Sequence, residues 1–171
     1  MIMKEFERFQ RKFSSGDFSD EGYWKAWRKV WDSCHQFTDY FNGDLEERDN
    51  ALGAIFSRHI NFRSSFMTEY EEKKLLSLPN HINVFRGGQQ ANISGWSWTL
   101  DRLTAEQYAF TGATDNRPLL AIASGLSSSA ILAYIETDGV AEVIIDPFTI
   151  TIETAEFAKI TFERLFKQVV D

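Results

Sequence analysis

A change of pattern at Pro79 constrains the fold of this chain more than any other feature. No proline occurs before it, and apolar side chains in that part recur at helical spacing. After Pro79, short apolar runs are bounded by glycine or proline, which is typical of β-strands. These patterns predict an α+β fold. A helical N-terminal lobe, residues 1–80, is expected to pack on a mainly antiparallel β core, residues 81–171, as one continuous globule.

Three helices are predicted in the lobe. The first runs from Ser19 to Phe41 and begins with a good capping residue, Ser19 or Asp20. The second runs from Leu45 to about Phe62, and the third from about Phe66 to Leu78. The turn between the first and second helices is predicted at 42–44, where Asn-Gly-Asp favours the end of a helix.

Several side chains of the lobe have simple structural interpretations. Trp24, Trp27 and Trp31 recur on one helix face and are predicted to form core. Cys34 is predicted to be a buried small apolar residue. The acidic pairs are predicted to be solvated surface: Glu46-Glu47 and Glu71-Glu72.

The β core is predicted to contain short strands and two short helices. The strands are expected at Ile82–Phe85, Trp96–Leu100, Leu119–Ala123, Glu142–Asp146 and Phe148–Glu153. The helices are expected at Asp101–Phe110 and Ser127–Ile135. For residues 161–170, strand and helix both remain open.

Charge and cysteine content exclude several kinds of function. The net charge is −7, with 12 basic and 14 acidic residues up to position 78 and 6 against 11 after it. Such an acidic balance argues against non-specific binding to a nucleic-acid duplex, which needs many cations. The single cysteine, Cys34, excludes an internal disulfide and any zinc site with two thiolates, and the three histidines make a metal site unexpected.

The remaining exclusions concern the membrane. No apolar run approaches the roughly 20 residues that cross a bilayer. The first residues are charged and lack the apolar segment of a signal peptide. We therefore expect a cytoplasmic protein without a membrane partner.

Three segments of the second half combine residue types that suit catalysis. The first is Val84-Phe85-Arg86-Gly87-Gly88, an arginine at the end of an apolar strand. The second is Gly95-Trp96-Ser97-Trp98-Thr99-Leu100-Asp101-Arg102, whose two hydroxyls share a strand face. The third is Ala141-Glu142-Val143-Ile144-Ile145, a carboxylate that leads an apolar strand.

Each segment alone also has an ordinary interpretation. Arg86 at a strand end can simply pair with one of the many carboxylates of the chain. Ser97 can be a solvated or backbone-bonded hydroxyl, and Glu142 a strand-edge carboxylate. Only the order and strand context of the three favour a common site.

In that order the segments resemble the ADP-ribosyltransferase fold, in its arginine–serine–glutamate class. The resemblance covers residues 82–150. The chain is also similar to small uncharacterised proteins of bacteria and their phages that have the same Phe-Arg-Gly and Ser-Trp-Thr-Leu-Asp-Arg motifs. The ADP-ribosyltransferase resemblance implies a split β core, NAD as substrate and no metal. It also implies transfer of ADP-ribose to a macromolecule, most simply a host or bacterial protein. A nucleic-acid target occurs in this family, but the acidic second half gives it no support.

The resemblance implies a role for each motif residue. Glu142 would stabilise the positive charge that develops on the ribose as nicotinamide leaves, as a carboxylate does in glycoside hydrolysis. Ser97 would orient that carboxylate, and Arg86 would grip phosphate or ribose. The residues implied to contact NAD are Arg86, Gly87, Gly88, Ser97, Trp98, Thr99, Tyr108 and Phe110. Among them the glycines would let the dinucleotide approach the backbone, and one of the aromatic rings, Trp96, Trp98, Tyr108 or Phe110, would stack on nicotinamide.

One position departs from the family pattern. The family has Glu or Gln two residues before the catalytic glutamate, where this chain has Val140. Valine can neither bond nor deprotonate an acceptor, although Glu136 or Asp138 is close enough in sequence to be considered as a substitute. This leaves two alternatives to a transferase: an NAD glycohydrolase, with water as acceptor, or an inactive binding or inhibitor protein on the same fold.

Overall fold

The computed structural model describes residues 2–34, 37–111, 118–152 and 154–157, with side chains for 4–34, 37–111 and 118–152. The chain divides into two compact units, Met1–Ser77 and Leu78–Asp171. The first unit is helical within its described residues, and the second contains all the strands described. The fold is therefore α+β. None of the helices in the described ranges is long and apolar enough to cross a membrane.

The helical unit consists of five α-helices and a 3-10 helix among its described residues. These are α1 (Ile2–Ser15), α2 (Asp20–Ser33), α3 (Phe37–Tyr40), α4 (Leu45–Phe56), the 3-10 helix Ile60–Phe66 and α5 (Glu69–Leu76). The Ser19 hydroxyl caps α2 by accepting from the Gly22 amide at 3.2 Å, as the sequence predicted. The Asp44 carboxylate caps α4 by accepting from the Glu47 amide at 2.9 Å.

The three predicted helices exist but are shorter than predicted. The helix that begins after Ser19 ends at Ser33 and not at Phe41, and a separate short helix, α3, covers Phe37–Tyr40. Helix α4 ends at Phe56, because His59 takes a left-handed conformation with φ of 48°, which no α-helix tolerates. Helix α5 begins only at Glu69, after the extended Thr68.

Aromatic rings form the core of the helical unit. Trp24 and Trp27 are fully buried, and Trp31 and Cys34 nearly so, which confirms both core predictions. Trp27 alone contacts Phe6, Phe9, Trp31, Phe37 and Phe56, at centroid separations of 5.0–6.0 Å. Rings at such distances add specific edge and stacking contacts to the burial of large apolar area.

The prediction of a solvated acidic pair at 71–72 is wrong for Glu71. This side chain is buried, and its two oxygens accept from the two terminal nitrogens of Arg28 at 2.8 and 2.9 Å. The same carboxylate accepts from the Thr68 amide at 2.7 Å and so completes a capping box at the start of α5. Buried carboxylates need such partners, and no local charge pattern identified Arg28 as the partner of Glu71.

The β unit contains six strands and one α-helix among its described residues. These are β1 (His81–Gly88), β2 (Ser97–Trp98), α6 (Arg102–Thr111), β3 (Leu119–Ser127), β4 (Ile131–Thr137), β5 (Val140–Ile145) and β6 (Thr154–Phe157). The strands form two antiparallel three-stranded sheets, β1-β3-β6 and β2-β5-β4. A bridge joins the sheets, since Phe85 and Thr99 exchange two backbone hydrogen bonds of 2.8 Å.

Two predictions in the β unit are wrong. The segment 127–135 is not a helix: after a single 3-10 turn at Ser128–Ala130 it continues as β4, and its pairing with β5 was not visible from local pattern. The segment 148–152 forms a turn and irregular backbone, and the next strand begins at Thr154. The prediction for residues 161–170 lies outside the described residues.

Candidate functional site

Strand register brings Ser97 and Glu142 to one face of the sheet β2-β5-β4. Ser97 pairs with Ile144, and Glu142 lies two residues from Ile144 along β5. Directly opposed residues, and residues two apart on a strand, project from the same face. Ser97 and Glu142 are therefore diagonal neighbours, a relation in which Cβ atoms lie about 7 Å apart, and both are partly exposed.

The position of Glu142 on β5 is fixed by a tight hairpin. Thr137 pairs with Val140, so that only Asp138 and Gly139 form the turn. Both turn residues have positive φ, 52° and 76°, as a two-residue type I′ turn requires. Val140 therefore lies on the same face as Glu142, two residues before it, where the resemblance implies a carboxylate or amide.

The two carboxylates considered as substitutes for that residue are not on this face. Glu136 pairs with Ala141, so its side chain projects from the opposite face, where it accepts from the Tyr134 hydroxyl at 2.9 Å. Asp138 belongs to the exposed turn itself. Neither of them stands beside Glu142 in the manner that the resemblance implies for the upstream residue.

Arg86 holds the segment between β1 and β2. Its Nε donates to the Ile93 carbonyl at 3.1 Å, its Nη2 to the Asn92 carbonyl at 3.2 Å and its Nη1 to the Ser97 carbonyl at 2.6 Å. The guanidinium also covers Gly95, where a Cβ would lie 2.6 Å from Nη2. Arg86 thus contacts Ser97 directly, and these three acceptors are neutral backbone carbonyls.

Packing within the protein accounts for both glycines after Arg86. A Cβ on Gly87 would lie 1.8 Å from the Ala105 carbonyl oxygen and 2.5 Å from the Ala109 nitrogen, so α6 itself occupies that space. A Cβ on Gly88 would meet the Asn92 side chain at 2.8 Å. The close approach that the glycines permit is therefore made by α6 and by the 89–96 segment.

The aromatic and hydroxyl neighbours of Ser97 are buried. Trp98 is 2% exposed, lies on the face opposite Ser97 and donates from its indole nitrogen to the Gly95 carbonyl at 2.8 Å. Trp96 is 3% exposed. Thr99 is buried as well, and its hydroxyl accepts from the Asp101 amide at 3.1 Å. In this conformation neither indole offers a ring face to a ligand.

Tyr108 and Phe110 are not brought to Arg86. Both are carried by α6, which packs on the face of β1 that presents Phe85 and Gly87. Arg86 lies between those two residues on the strand and so projects from the other face. Phe110 packs against the small core of α6, whereas Tyr108 is 58% exposed.

Sequence reasoning missed Asn92 as a part of the site. Its side-chain oxygen accepts from the Gln89 amide at 2.7 Å, and its carbonyl accepts from Arg86. Asparagine between glycines is a common turn former, so a turn was detectable. That Arg86 would bind the turn was not, because backbone carbonyls leave no pattern in a sequence.

Two further findings bear on the site. Among the residues with described side chains, no group of three or more His, Cys, Asp or Glu is arranged to hold a metal ion. Comparisons with protein-family models, with curated proteins and with solved structures found no match to this chain.

Proposed function

We propose that this protein is an NAD-dependent mono-ADP-ribosyltransferase. The observation that carries the proposal is the grouping of the three motif residues on neighbouring strands. Arg86 bonds to Ser97, and Ser97 and Glu142 are diagonal neighbours on one sheet face. A β core split into two antiparallel sheets, with Arg86 and Ser97 close to their junction, also agrees with what the resemblance implies.

The proposed reaction replaces one bond to the ribose by another. The bond from ribose C1′ to the nicotinamide nitrogen breaks, and its electron pair leaves with nicotinamide. The Glu142 carboxylate stabilises the oxocarbenium-like transition state and hydrogen-bonds the ribose 2′-hydroxyl. A lone pair of the acceptor then forms the new bond to C1′, and the acceptor releases its proton to solvent.

Arg86 and Ser97 support this step in different ways. Arg86 supplies a positive charge close to the site, which favours an anionic dinucleotide. The same side chain fixes the backbone at Ser97, so the hydroxyl that would orient Glu142 is held in register. Because the Ser97 hydroxyl is already in position, less free energy is needed to bring Glu142 into its reactive geometry.

Val140 favours one alternative, an NAD glycohydrolase. It stands on the face of Glu142 and offers no group that activates a macromolecular acceptor. Water, present at high concentration, would then accept the ribosyl group. The loss of nicotinamide depends on the same Glu142 in both reactions, so the first half of the chemistry is common to them.

The test measures nicotinamide release from labelled NAD, with and without bacterial lysate, for wild type, Glu142→Gln and Glu136→Gln. Glu136→Gln is the matched control, because it alters a carboxylate of the adjacent strand on the opposite sheet face. We expect release to fall on the order of 100-fold in Glu142→Gln and to persist in Glu136→Gln.

The need for an added acceptor distinguishes a transferase from a glycohydrolase. Release that requires lysate and labels a macromolecule supports a transferase, whereas equal release in buffer alone supports a glycohydrolase. NAD binding without release in wild type would leave the inactive binding protein. No binding of NAD by calorimetry would overturn the proposal.

A further inference from the structure

A groove on the helical unit combines an apolar floor with a cationic rim. It has a volume of about 390 Å³, is open to solvent and lies between α1 and α2. Its floor is formed by Phe9, Val30 and Phe18. Ala26 widens it, because the small side chain leaves space where a longer one would fill the gap between the helices.

Four cations surround this floor. Arg8, Arg11 and Lys12 come from α1, and Lys29 faces them from α2. The only acidic residue of the lining is Glu5, whose carboxylate accepts from the Ser33 hydroxyl at 3.3 Å. The rim therefore concentrates positive charge on a chain whose net charge is −7.

Ion pairs within the described residues leave these cations uncompensated. The charged pairs described involve other side chains, and no carboxylate of the described side chains lies within salt-bridge distance of Arg8, Arg11, Lys12 or Lys29. Lys12 instead lies over the Phe18 ring, 5.8 Å from its centroid. All four side chains are exposed, so they can move to contact the carboxylates of a partner.

We propose that this groove binds an acidic amphipathic helix of a partner protein. A groove between two helices accepts a third helix, which lays its apolar face on the floor and aligns its carboxylates with the rim. The site is less suited to a small molecule, which is usually held by a few rigidly placed polar groups rather than by long exposed side chains. It is concave, so a flat membrane surface fits it poorly.

A nucleic acid is the less favoured polyanion. A strand long enough to cover the rim would extend over the rest of the helical unit, where the residues up to position 78 outside the groove include 8 basic against 13 acidic side chains, so repulsion opposes binding. An acidic helix of two or three turns confines its charge to the groove. The proposal is independent of the proposed ADP-ribosyltransferase activity, since no residue of the groove belongs to that site.

The test uses a fluorescein-labelled helical peptide with leucine at i, i+3, i+4 and i+7 and glutamate on the flanking positions. The matched peptide replaces each glutamate by glutamine. Binding of both to the full chain is measured by fluorescence anisotropy at low and at physiological salt. We expect the acidic peptide to bind about tenfold or more tightly than the glutamine peptide, with affinity falling as salt rises.

Protein variants then locate the binding. Arg8→Glu with Lys29→Glu brings the summed charge of the four rim positions to zero, and Ala26→Trp fills the groove; each is expected to weaken binding of the acidic peptide about tenfold. Lys4→Glu with Lys25→Glu is the matched control, because these cations lie on the same helices but do not line the groove. Circular dichroism establishes that each variant is folded.

Four results would overturn the proposal. The first is no preference for the acidic peptide, and the second is equal loss of binding in the control variant. The third is tighter binding of a single-stranded oligonucleotide than of the peptide, lost in the rim variant, which would assign the groove to nucleic acid. The fourth is self-association in sedimentation that the rim variant abolishes, which would make a second copy the occupant.

Discussion

The Arg86 guanidinium and the Ser97 carbonyl are joined by a hydrogen bond of 2.6 Å, between residues eleven apart in the chain. The bond closes a loop whose carbonyls at Asn92 and Ile93 are held by the same side chain. One residue thus fixes the entry of the chain into β2. Its effect on Ser97 passes through the backbone and not through the hydroxyl.

Replacing Arg86 by lysine is expected to loosen this loop while keeping the charge. Lysine has a single flexible ammonium and cannot reproduce the planar fork that reaches three carbonyls. We expect faster amide hydrogen exchange in residues 89–97 and a free energy of unfolding lower by about 2 kcal/mol. Glu136→Gln serves as the control, and unchanged exchange in Arg86→Lys would contradict the clamp.

Gly87→Ala is expected to be more destabilising than Gly88→Ala. The new methyl group would collide with the Ala105 carbonyl and the Ala109 nitrogen, both part of the α6 backbone, so the helix must move. At Gly88 its closest approach is to the side-chain oxygen of Asn92, and the nearest backbone atoms, in Asn92 and Ile93, lie at ordinary contact distances of 3.4 Å or more. We expect a loss of about 3 kcal/mol at Gly87 by urea denaturation, and a smaller loss at Gly88. Equal losses would mean that α6 shifts without cost.

Removing Glu71 is expected to destabilise the helical unit. Glu71→Ala leaves the guanidinium of Arg28 without its bidentate partner and opens the capping box at Thr68. We expect the free energy of unfolding to fall by about 3 kcal/mol. The measurement is urea denaturation monitored by circular dichroism. Glu72→Ala, next in sequence, is the matched control at a partly exposed position of the same helix. The double variant Arg28→Met with Glu71→Leu should recover part of the loss, because it leaves no buried charge unpaired.

Alkaline pH is expected to destabilise the helical unit through Tyr23. Burial raises the pKa of its hydroxyl, which donates to the Ile55 carbonyl at 2.7 Å, despite the opposing charge of Arg58. In the unfolded chain a tyrosine ionises near pH 10, as roughly given by model peptides. Above that pH the unfolded state binds fewer protons than the native state, so the free energy of unfolding falls as pH rises. Below it, this contribution is fully retained.

Urea denaturation between neutral and alkaline pH measures this effect. Tyr23→Phe should be less stable than wild type by about 1 kcal/mol at neutral pH, since it loses the hydrogen bond, yet show a shallower alkaline decline. Tyr70→Phe, which alters an exposed ring, should retain the wild-type slope. An unchanged slope in Tyr23→Phe would assign the decline to other groups.

Val140→Glu tests the acceptor side of the proposed site. It introduces a carboxylate two residues before Glu142 on the same sheet face, at the position where the resemblance links Glu to arginine targets. We expect the variant to transfer labelled ADP-ribose to an added arginine-containing acceptor, whereas wild type does not. Val140→Leu controls for packing. Failure of Val140→Glu to label this acceptor while it still releases nicotinamide would remove this position from acceptor choice.

The sequence predicted those features that depend only on residues close together in the chain. The cap at Ser19, the aromatic stripe around Trp27 and the turn after Phe41 all follow from spacing and residue type. Burial of Glu71 did not, because its partner Arg28 lies on another helix. Likewise, the groups that bind Arg86 are backbone carbonyls, which every residue has, so residue type could not predict them.

The β4–β5 hairpin shows a signal that was present but outweighed. Asp138-Gly139 is a strong type I′ turn signal, yet the apolar residues before it at 130–135 suited a short helix equally well. Pairing with β5 decided the matter, and pairing is not a local property. Without that hairpin, the relation of Val140 to Glu142 could only be assumed.

The same hairpin determines which changes the proposed site tolerates. Because its turn has only two residues, an inserted residue that is not taken up as a bulge shifts β5 by one place against β4. Glu142 would then project into the layer of Val143 and Trp98, and Ser97 would face a different partner. A change of one residue at position 138 or 139 that shifted the register in this way would therefore separate Ser97 from Glu142 while every motif residue remained in the sequence.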